Sequence, residues 1–250
     1  MSEAQSRLAQ VRDRIATAAE RAGRDPAEIT LVGVAKRQPD ERIMAAIVAG
    51  VRVLGQSYIQ EARDIRPRVE AALASWPGSD ESPQTPSADR GPLLRWHMVG
   101  RLQRNKAGLA ARLFEMVESV DRPELAETLT RRAEQEGKRL DVLIQMSLCG
   151  EPQKGGCEPD ALLPLAEKII AAPTLRLRGL MTVPAAGPHP ESSRPAFAEL
   201  RGLREKLAQL DPSLAHSELS MGMSGDLEVA VEEGATLVRV GTALFGERVG

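Results

Sequence analysis

Short apolar runs alternate with helical segments eight times along this chain, and that alternation restricts the possible fold more than any other feature of the sequence. The runs fall at 29–35 (ITLVGVA), 51–54, 93–99, 116–120, 140–146, 175–181, 217–220 and 236–240. Helical spacing is read over 40–49, from the turn at 55–58 to residue 74, and over 102–113, 122–137, 159–172 and 194–210, with one more helix between Ser224 and Gly234. Leu8, Val11, Ile15, Ala18 and Ala19 recur at helical spacing, so a further amphipathic helix opens the chain and ends near Gly23; Gly241-Thr242 opens a short last one. Strands that read as continuous apolar runs are buried on both faces, and β alternating with α gives a parallel sheet. Eight such units within 250 residues favour closure. The expected fold is α/β: a single (β/α)8 TIM barrel with an extra N-terminal helix, one domain over 1–250. The Pro-, Ser-, Gly- and Asp-rich stretch 75–92 is expected to be a flexible surface loop.

The charge balance of −2 gives no reason to expect nucleic acid or an anionic membrane as partner. The charged opening MSEAQSRLAQVRDRIATAAERAG has no signal-peptide core, and no later run is long enough to span a bilayer, so a cytoplasmic location is expected. Cys149 and Cys157 lie in a Gly-rich loop, where a disulfide would be unusual for a cytosolic chain. His97, His189 and His216 show no metal-ligand spacing, and no metal is expected.

The chemistry is easiest to read at 217–246, SELSMGMSGDLEVAVEEGATLVRVGTALFG. A strand ends near Ser220, Met221-Gly222-Met223-Ser224 turns, and Ser224 is the expected N-cap of a helix with Asp226 and Glu228 in its first turn. Gly234 stops that helix, a β-branched strand follows, and Gly241-Thr242 starts the next helix. Two successive βα turns thus offer backbone N–H groups, an arrangement that binds phosphate without a positive side chain. In barrels of this type the loops after strands 7 and 8 are the recurrent phosphate site. Arg239, between Val238 and Val240, is a guanidinium in a strand expected to be buried. A structural ion pair is the plain reading of it; the adjacent Gly-Thr turn favours a role at the site.

Val32, Val34 and Lys36 share one side of the first strand, so Lys36 is an inward lysine on the face where barrel sites are built. A lysine held among apolar neighbours is a usable amine nucleophile, suited to a Schiff base. The competing reading, a strand-end lysine that snorkels into solvent, loses weight beside a phosphate site on the same face. Amine, anion cup and buried arginine together meet the needs of pyridoxal 5′-phosphate (PLP): an imine partner, an anion site and a partner for the ring nitrogen.

The motifs bear this out as a resemblance. VAK at 34–36, GQSYIQEA at 55–62, WHMVGRLQRNK at 96–106, SVDR at 119–122, GEPQKGG at 150–156, GLMTV at 179–183 and the run at 220–246 make the chain similar to the pyridoxal phosphate homeostasis protein family. That family's barrel is similar to the N-terminal domain of bacterial alanine racemase. The resemblance covers about 29–246 and implies that Lys36 bears PLP as an internal aldimine. It also implies that Ser224, Gly241 and Thr242 hold the phosphate, that Met221 and Gly222 form the adjacent turn, and that Arg239 faces the pyridine nitrogen. Ser57, His97 and Ser220 complete the expected cofactor-binding set, although a structural histidine on the third strand is an equal reading of His97. The chain departs from the family at Gln56-Ser57, commonly Glu-Asn, and at Ser147, commonly Asn. Lys106, Glu151 and Lys154 match family motifs but are assigned no catalytic role.

The function implied is that of a monomeric carrier. It buffers PLP, delivers it to apo-enzymes and maintains vitamin B6 and amino-acid homeostasis without a committed reaction. The alternative is a PLP-dependent amino-acid racemase of the alanine racemase type. Racemisation needs an acid/base on each face of the carbanion; Lys36 serves one, the only tyrosine, Tyr58, follows the second strand, and no second domain is expected after Gly250. A phosphosugar barrel enzyme with an imine-forming Lys36 fits the fold and leaves the motifs unexplained.

Overall fold

Eight parallel strands close on themselves, because each apolar run supplies one face to the barrel interior and the other to the surrounding helices. The computed structural model describes residues 1–75, 94–148, 155–185 and 187–247. Its strands are β1 (Thr30–Val34), β2 (Val53–Gln56), β3 (Arg95–Met98), β4 (Met116–Val120), β5 (Leu140–Met146), β6 (Leu175–Thr182), β7 (Glu218–Ser220) and β8 (Leu237–Val240). They lie side by side in chain order, and β8 returns to pair with β1, Arg239 opposite Val32. Around them run α1 (Glu3–Arg21), α2 (Asp40–Ala49), α3 (Ile59–Ala74), α4 (Ala107–Leu113), α5 (Pro123–Gln135), α6 (Leu162–Ile170), α7 (Arg194–Leu210), α8 (Leu227–Glu232) and α9 (Thr242–Phe245). This is the expected TIM barrel.

The two-residue period sorts the core into two bodies. Val53, Met116, Leu143, Met181 and Leu237 fill the barrel interior together with Val32. Their neighbours Leu54, Val117, Val142, Leu180 and Val238 face the helices. The interior therefore has an apolar floor. One pleat further along β4 and β8, two residues beyond Met116 and Leu237, stand Glu118 and Arg239, both buried. At the other end of the strands, Asp141, buried near the start of β5, pairs with Arg95 and Arg176.

Helix α1 is the extra N-terminal element. Ser2 and Gln5 form a capping box, and Leu8, Val11, Ile15, Ala18 and Ala19 are its buried stripe, as the spacing predicts. It packs against α2, α8 and α9.

Three expectations need correction. Strand β2 runs through Gly55 and Gln56, where a turn was expected, because both pair with β3, opposite His97 and Met98. Helix α4 starts at Ala107, after a 3-10 turn at Arg104–Lys106, because the chain is still extended at Gln103. Helix α8 starts at Leu227 with Asp226 in the N-cap position, so Ser224 is not its cap. Of the stretch 75–92 only Ser75, which ends α3, is among the described residues. Cys149, Glu151 and Lys154 lie outside them. Cys157 is a free, buried thiol. Among the described residues no helix is long and apolar enough to cross a membrane.

Gly222 is the glycine on which the turn after β7 depends. Its φ is +90°, and a Cβ there would lie 2.4 Å from Cβ of Ala230 on α8. Gly222→Ala is expected to cost about 2–5 kcal/mol, backbone strain and overpacking together. Urea denaturation of the two proteins measures it; a loss below about 1 kcal/mol would mean that the turn relaxes freely.

Candidate functional site

Lys36 leaves β1 on a tight turn. The Gln38 N–H donates to the Ala35 carbonyl at 3.1 Å, which puts Lys36 and Arg37 in the two central positions. Arg37 takes a φ of +55°, a conformation that a side chain disfavours. Its N–H is held at 2.6 Å by the Glu61 carboxylate of α3. The Lys36 ammonium stands 5.5 Å from the centroid of the Tyr58 ring, and the Arg37 guanidinium 5.9 Å from the same ring. Lys36 is half-buried, its amine presented at the carboxyl end of the barrel.

The facing wall comes from the turns after β7 and β8. Asp226 shapes the first: one carboxylate oxygen accepts the Met223 N–H at 2.7 Å and the other the Ser193 hydroxyl at 2.8 Å. The Ser224 hydroxyl accepts the Ala243 N–H of α9 at 3.4 Å, joining the two turns. The Ser224 carbonyl is held in turn by Arg14 of α1 at 2.9 Å, and Arg14 also pairs with Glu228 at 2.6 Å. The N-terminal helix thus braces the site from outside.

Between these walls lies a pocket of about 370 Å³, lined by Val34, Lys36, Gln38, Ser57, Val99, Val183, Met223, Ser224, Gly225, Arg239, Gly241 and Thr242. Lys36 and Arg239 are the only titratable groups among these. Arg239 donates to the Ser220 hydroxyl at 2.6 Å and to the Thr182 carbonyl at 2.7 Å. Ser220 donates to Glu118 at 2.5 Å, and the other Glu118 oxygen lies 2.7 Å from Nδ1 of His97. Burial alone would raise the Glu118 carboxyl, but the bond to His97, the charges of His97 and Arg239 and the bond from Ser220 hold it below the usual carboxylate range. Burial draws the Arg239 guanidinium below its ordinary value, with Glu118 and Asp226 acting against that. A guanidinium stays charged through such a shift.

Of the expected residues, Lys36, Ser57, Ser224, Arg239, Gly241 and Thr242 meet in this pocket. His97, Ser220, Met221 and Gly222 stand behind its walls. Ser220 links Arg239 to Glu118, His97 lies on the far side of Glu118, Met221 N–H donates to the Leu237 carbonyl and the Gly222 carbonyl accepts the Arg239 N–H. Sequence reasoning missed Glu118, a lone acid within the apolar run MVESV, although the same signal had singled out Arg239. It missed Val99, Val183 and Gly225 as walls, since nothing local marks an apolar or small residue as facing a cavity. At the departures from the family, Ser57 lines the pocket, Ser147 bonds to Cys157 through its backbone, and the buried Gln56 side chain has no hydrogen-bond partner among the described residues.

A closed parallel barrel with a lysine, an arginine and two hydroxyl-bearing turns at the carboxyl ends of its strands is the architecture of the alanine racemase N-terminal domain class. The family model "Alanine racemase, N-terminal domain" matches residues 6–249. The Pseudomonas aeruginosa pyridoxal phosphate homeostasis protein is 41% identical over 99% of this chain and 97% of its own length. Its Escherichia coli K12 counterpart is 39% identical over 99% and 98%. The structure of PipY from Synechococcus elongatus with PLP bound matches with a TM-score of 0.80 at 32% identity, over 98% of this chain and 100% of that one. A Clostridium difficile alanine racemase shares the fold at a TM-score of 0.68 and 15% identity, this chain spanning 58% of it. The chain belongs to the alanine racemase N-terminal domain family and, within it, to the pyridoxal phosphate homeostasis proteins.

The depressed Glu118 carboxyl makes stability depend on pH. A carboxyl lowered by folding contributes stability above its unfolded pKa, near 4.5, that is lost as pH falls through the folded value. Glu118→Gln is expected to cost about 3–5 kcal/mol at pH 7, because Arg239 is left buried without its countercharge. The gap from wild type should narrow below pH 4.5. Denaturant titrations of both proteins at several pH values measure this; a gap constant down to the acid limit would remove Glu118 from the charge balance.

Proposed function

We propose that this chain binds PLP and holds it in reserve for PLP-dependent enzymes, so maintaining vitamin B6 and amino-acid homeostasis. The observation that carries the reading is one pocket combining a half-buried lysine amine, the Ser224 and Thr242 hydroxyls and the guanidinium of Arg239. Its volume of about 370 Å³ lies within the range of small-ligand sites. The names of the relatives and PipY's bound PLP support it.

When bound, the cofactor supplies an aldehyde that condenses with an amine and a ring that withdraws electrons. Lys36 offers the amine, its position set by the Ala35–Gln38 turn and by Tyr58. Ser224 and Thr242, with the N–H groups at the start of α9, would hold the phosphate. Arg239 is anchored by Ser220 and Thr182, and as a fixed cation it would disfavour protonation of a ring nitrogen held beside it. An unprotonated ring is the weaker electron sink, which suits holding the cofactor more than transforming a substrate on it. The racemase reading needs a second acid/base across from Lys36. Among the described wall residues only Lys36 and Arg239 titrate, and an arginine does not give up its proton. The Tyr58 ring centroid is 5.5 Å from the Lys36 ammonium, and Tyr58 is not among the residues that line the pocket. The working unit in this reading is a cytoplasmic monomer, one barrel domain, that hands PLP to apo-enzymes and engages neither nucleic acid nor membrane.

Three experiments test it. Borohydride reduction after PLP loading should label Lys36 alone, and Lys36→Ala should lose the label. Ser224→Ala/Thr242→Val should weaken PLP binding by about one to four powers of ten, at about 1.5–3 kcal/mol for each charge-assisted bond. A label on another lysine, or unchanged affinity in the double variant, would refute the assignment of those residues. Third, the loaded protein incubated with L- and D-amino acids should show no racemisation at an enzyme's ordinary rate of about 1–10³ s⁻¹. Turnover in that range would establish the racemase reading instead.

A further inference from the structure

A second cavity, of about 760 Å³, opens beside the Lys36 pocket and shares Ser57 with it. Its walls are the β2–α3 turn with the start of α3, the segment from Met98 to Lys106 that follows β3, and Arg122. Four of its lining residues are cations: Arg101, Arg104, Lys106 and Arg122. Arg122 is spoken for, since it pairs with Asp121 and donates to the Leu102 carbonyl at 3.1 Å. Among the described residues the side chains of Arg101, Arg104 and Lys106 have neither a carboxylate partner nor a hydrogen bond.

Acids are not scarce in this chain, which carries 35 against 33 Lys and Arg. Several arginines elsewhere are matched: Arg14 with Glu228, Arg66 with Glu115, Arg176 with Asp141, Arg194 with Glu232. Three unmatched cations around one concavity repel one another, and a bound anion removes that cost. The same cavity has an apolar side, made by Ile59, Met98 and Leu102, and the Tyr58 ring also lines it. It is far larger than a bare oxyanion requires.

We propose that this cavity is a non-covalent binding site for a phosphomonoester of an organic alcohol: the phosphate among Arg101, Arg104 and Lys106, the organic group against Tyr58 and the apolar side. Apart from Ser57 the site has none of the Lys36 pocket's lining residues, and its chemistry differs, since it needs no aldehyde. It stands whether or not the Lys36 pocket holds PLP. Tyr58 lines this cavity and its ring centroid is 5.5 Å from the Lys36 ammonium, so a ligand here lies next to the first pocket.

The probe is phenyl phosphate, titrated calorimetrically at low salt into protein whose Lys36 pocket has first been filled with PLP and reduced. One saturable site is expected. Arg101→Ala/Lys106→Ala should weaken it at least about tenfold, while Arg112→Ala/Arg131→Ala, which removes the same charge elsewhere, should leave it unchanged. Phenol should not bind. Absence of saturable binding, or equal loss in both double variants, overturns the site; inorganic phosphate binding as tightly as phenyl phosphate overturns the organic-ester assignment. If reduction leaves no label on Lys36, the PLP reading has failed by itself, and the Arg101/Lys106 comparison in unlabelled protein still decides this one.

Discussion

The site rests on one buried interaction, the Arg239 guanidinium balanced by the Glu118 carboxylate through the Ser220 hydroxyl. Either charge alone in the barrel interior would be prohibitive. Together, with His97 on the far side of Glu118 and the Thr182 carbonyl on the far side of Arg239, they are satisfied. The chain of contacts ties β3, β4, β6, β7 and β8 across the barrel. A hydrophobic filling would stabilise such an interior at least as well. What the polar set adds is a cation held at one point of the pocket wall, with its own partners occupying the directions away from the cavity.

Around that fixed point the remaining parts are set by the surrounding helices. Glu61 of α3 holds the Arg37 N–H and with it the turn that carries Lys36. Arg14 of α1 holds the Ser224 carbonyl and Glu228 together. The helix outside the eight-fold repeat therefore has a positional role as well as an apolar one: it buries five side chains and braces a turn that lines the pocket. A lysine and two hydroxyls on three βα connections, with a guanidinium on β8, are thus brought to one cavity at the carboxyl ends of the strands.

The sequence by itself determined the barrel, because period and alternation are local properties: the runs at 116–120 and 140–146 and the helices at 40–49 and 194–210 recur with those bounds in the structure. It also marked Lys36 and Arg239, since a charge in an apolar strand is visible without any fold. The ends of elements were less legible. Gly55 and Gln56 look like a turn until β3 pairs with them, and Ser224 looks like a cap until Asp226 takes that position. Only the tertiary structure decided which polar residues meet. Glu118 and Ser220 are 102 positions apart in the chain, and nothing local says that they share a proton's reach. His97, for which the sequence leaves a structural role and a pocket role open, and Ser220 both bond to Glu118, because strands that are distant in sequence face one another across the closed barrel's interior. The physical reason is that burial must be paired with satisfaction: which partner satisfies a buried charge depends on what the far wall offers, and the far wall exists only once the sheet has closed.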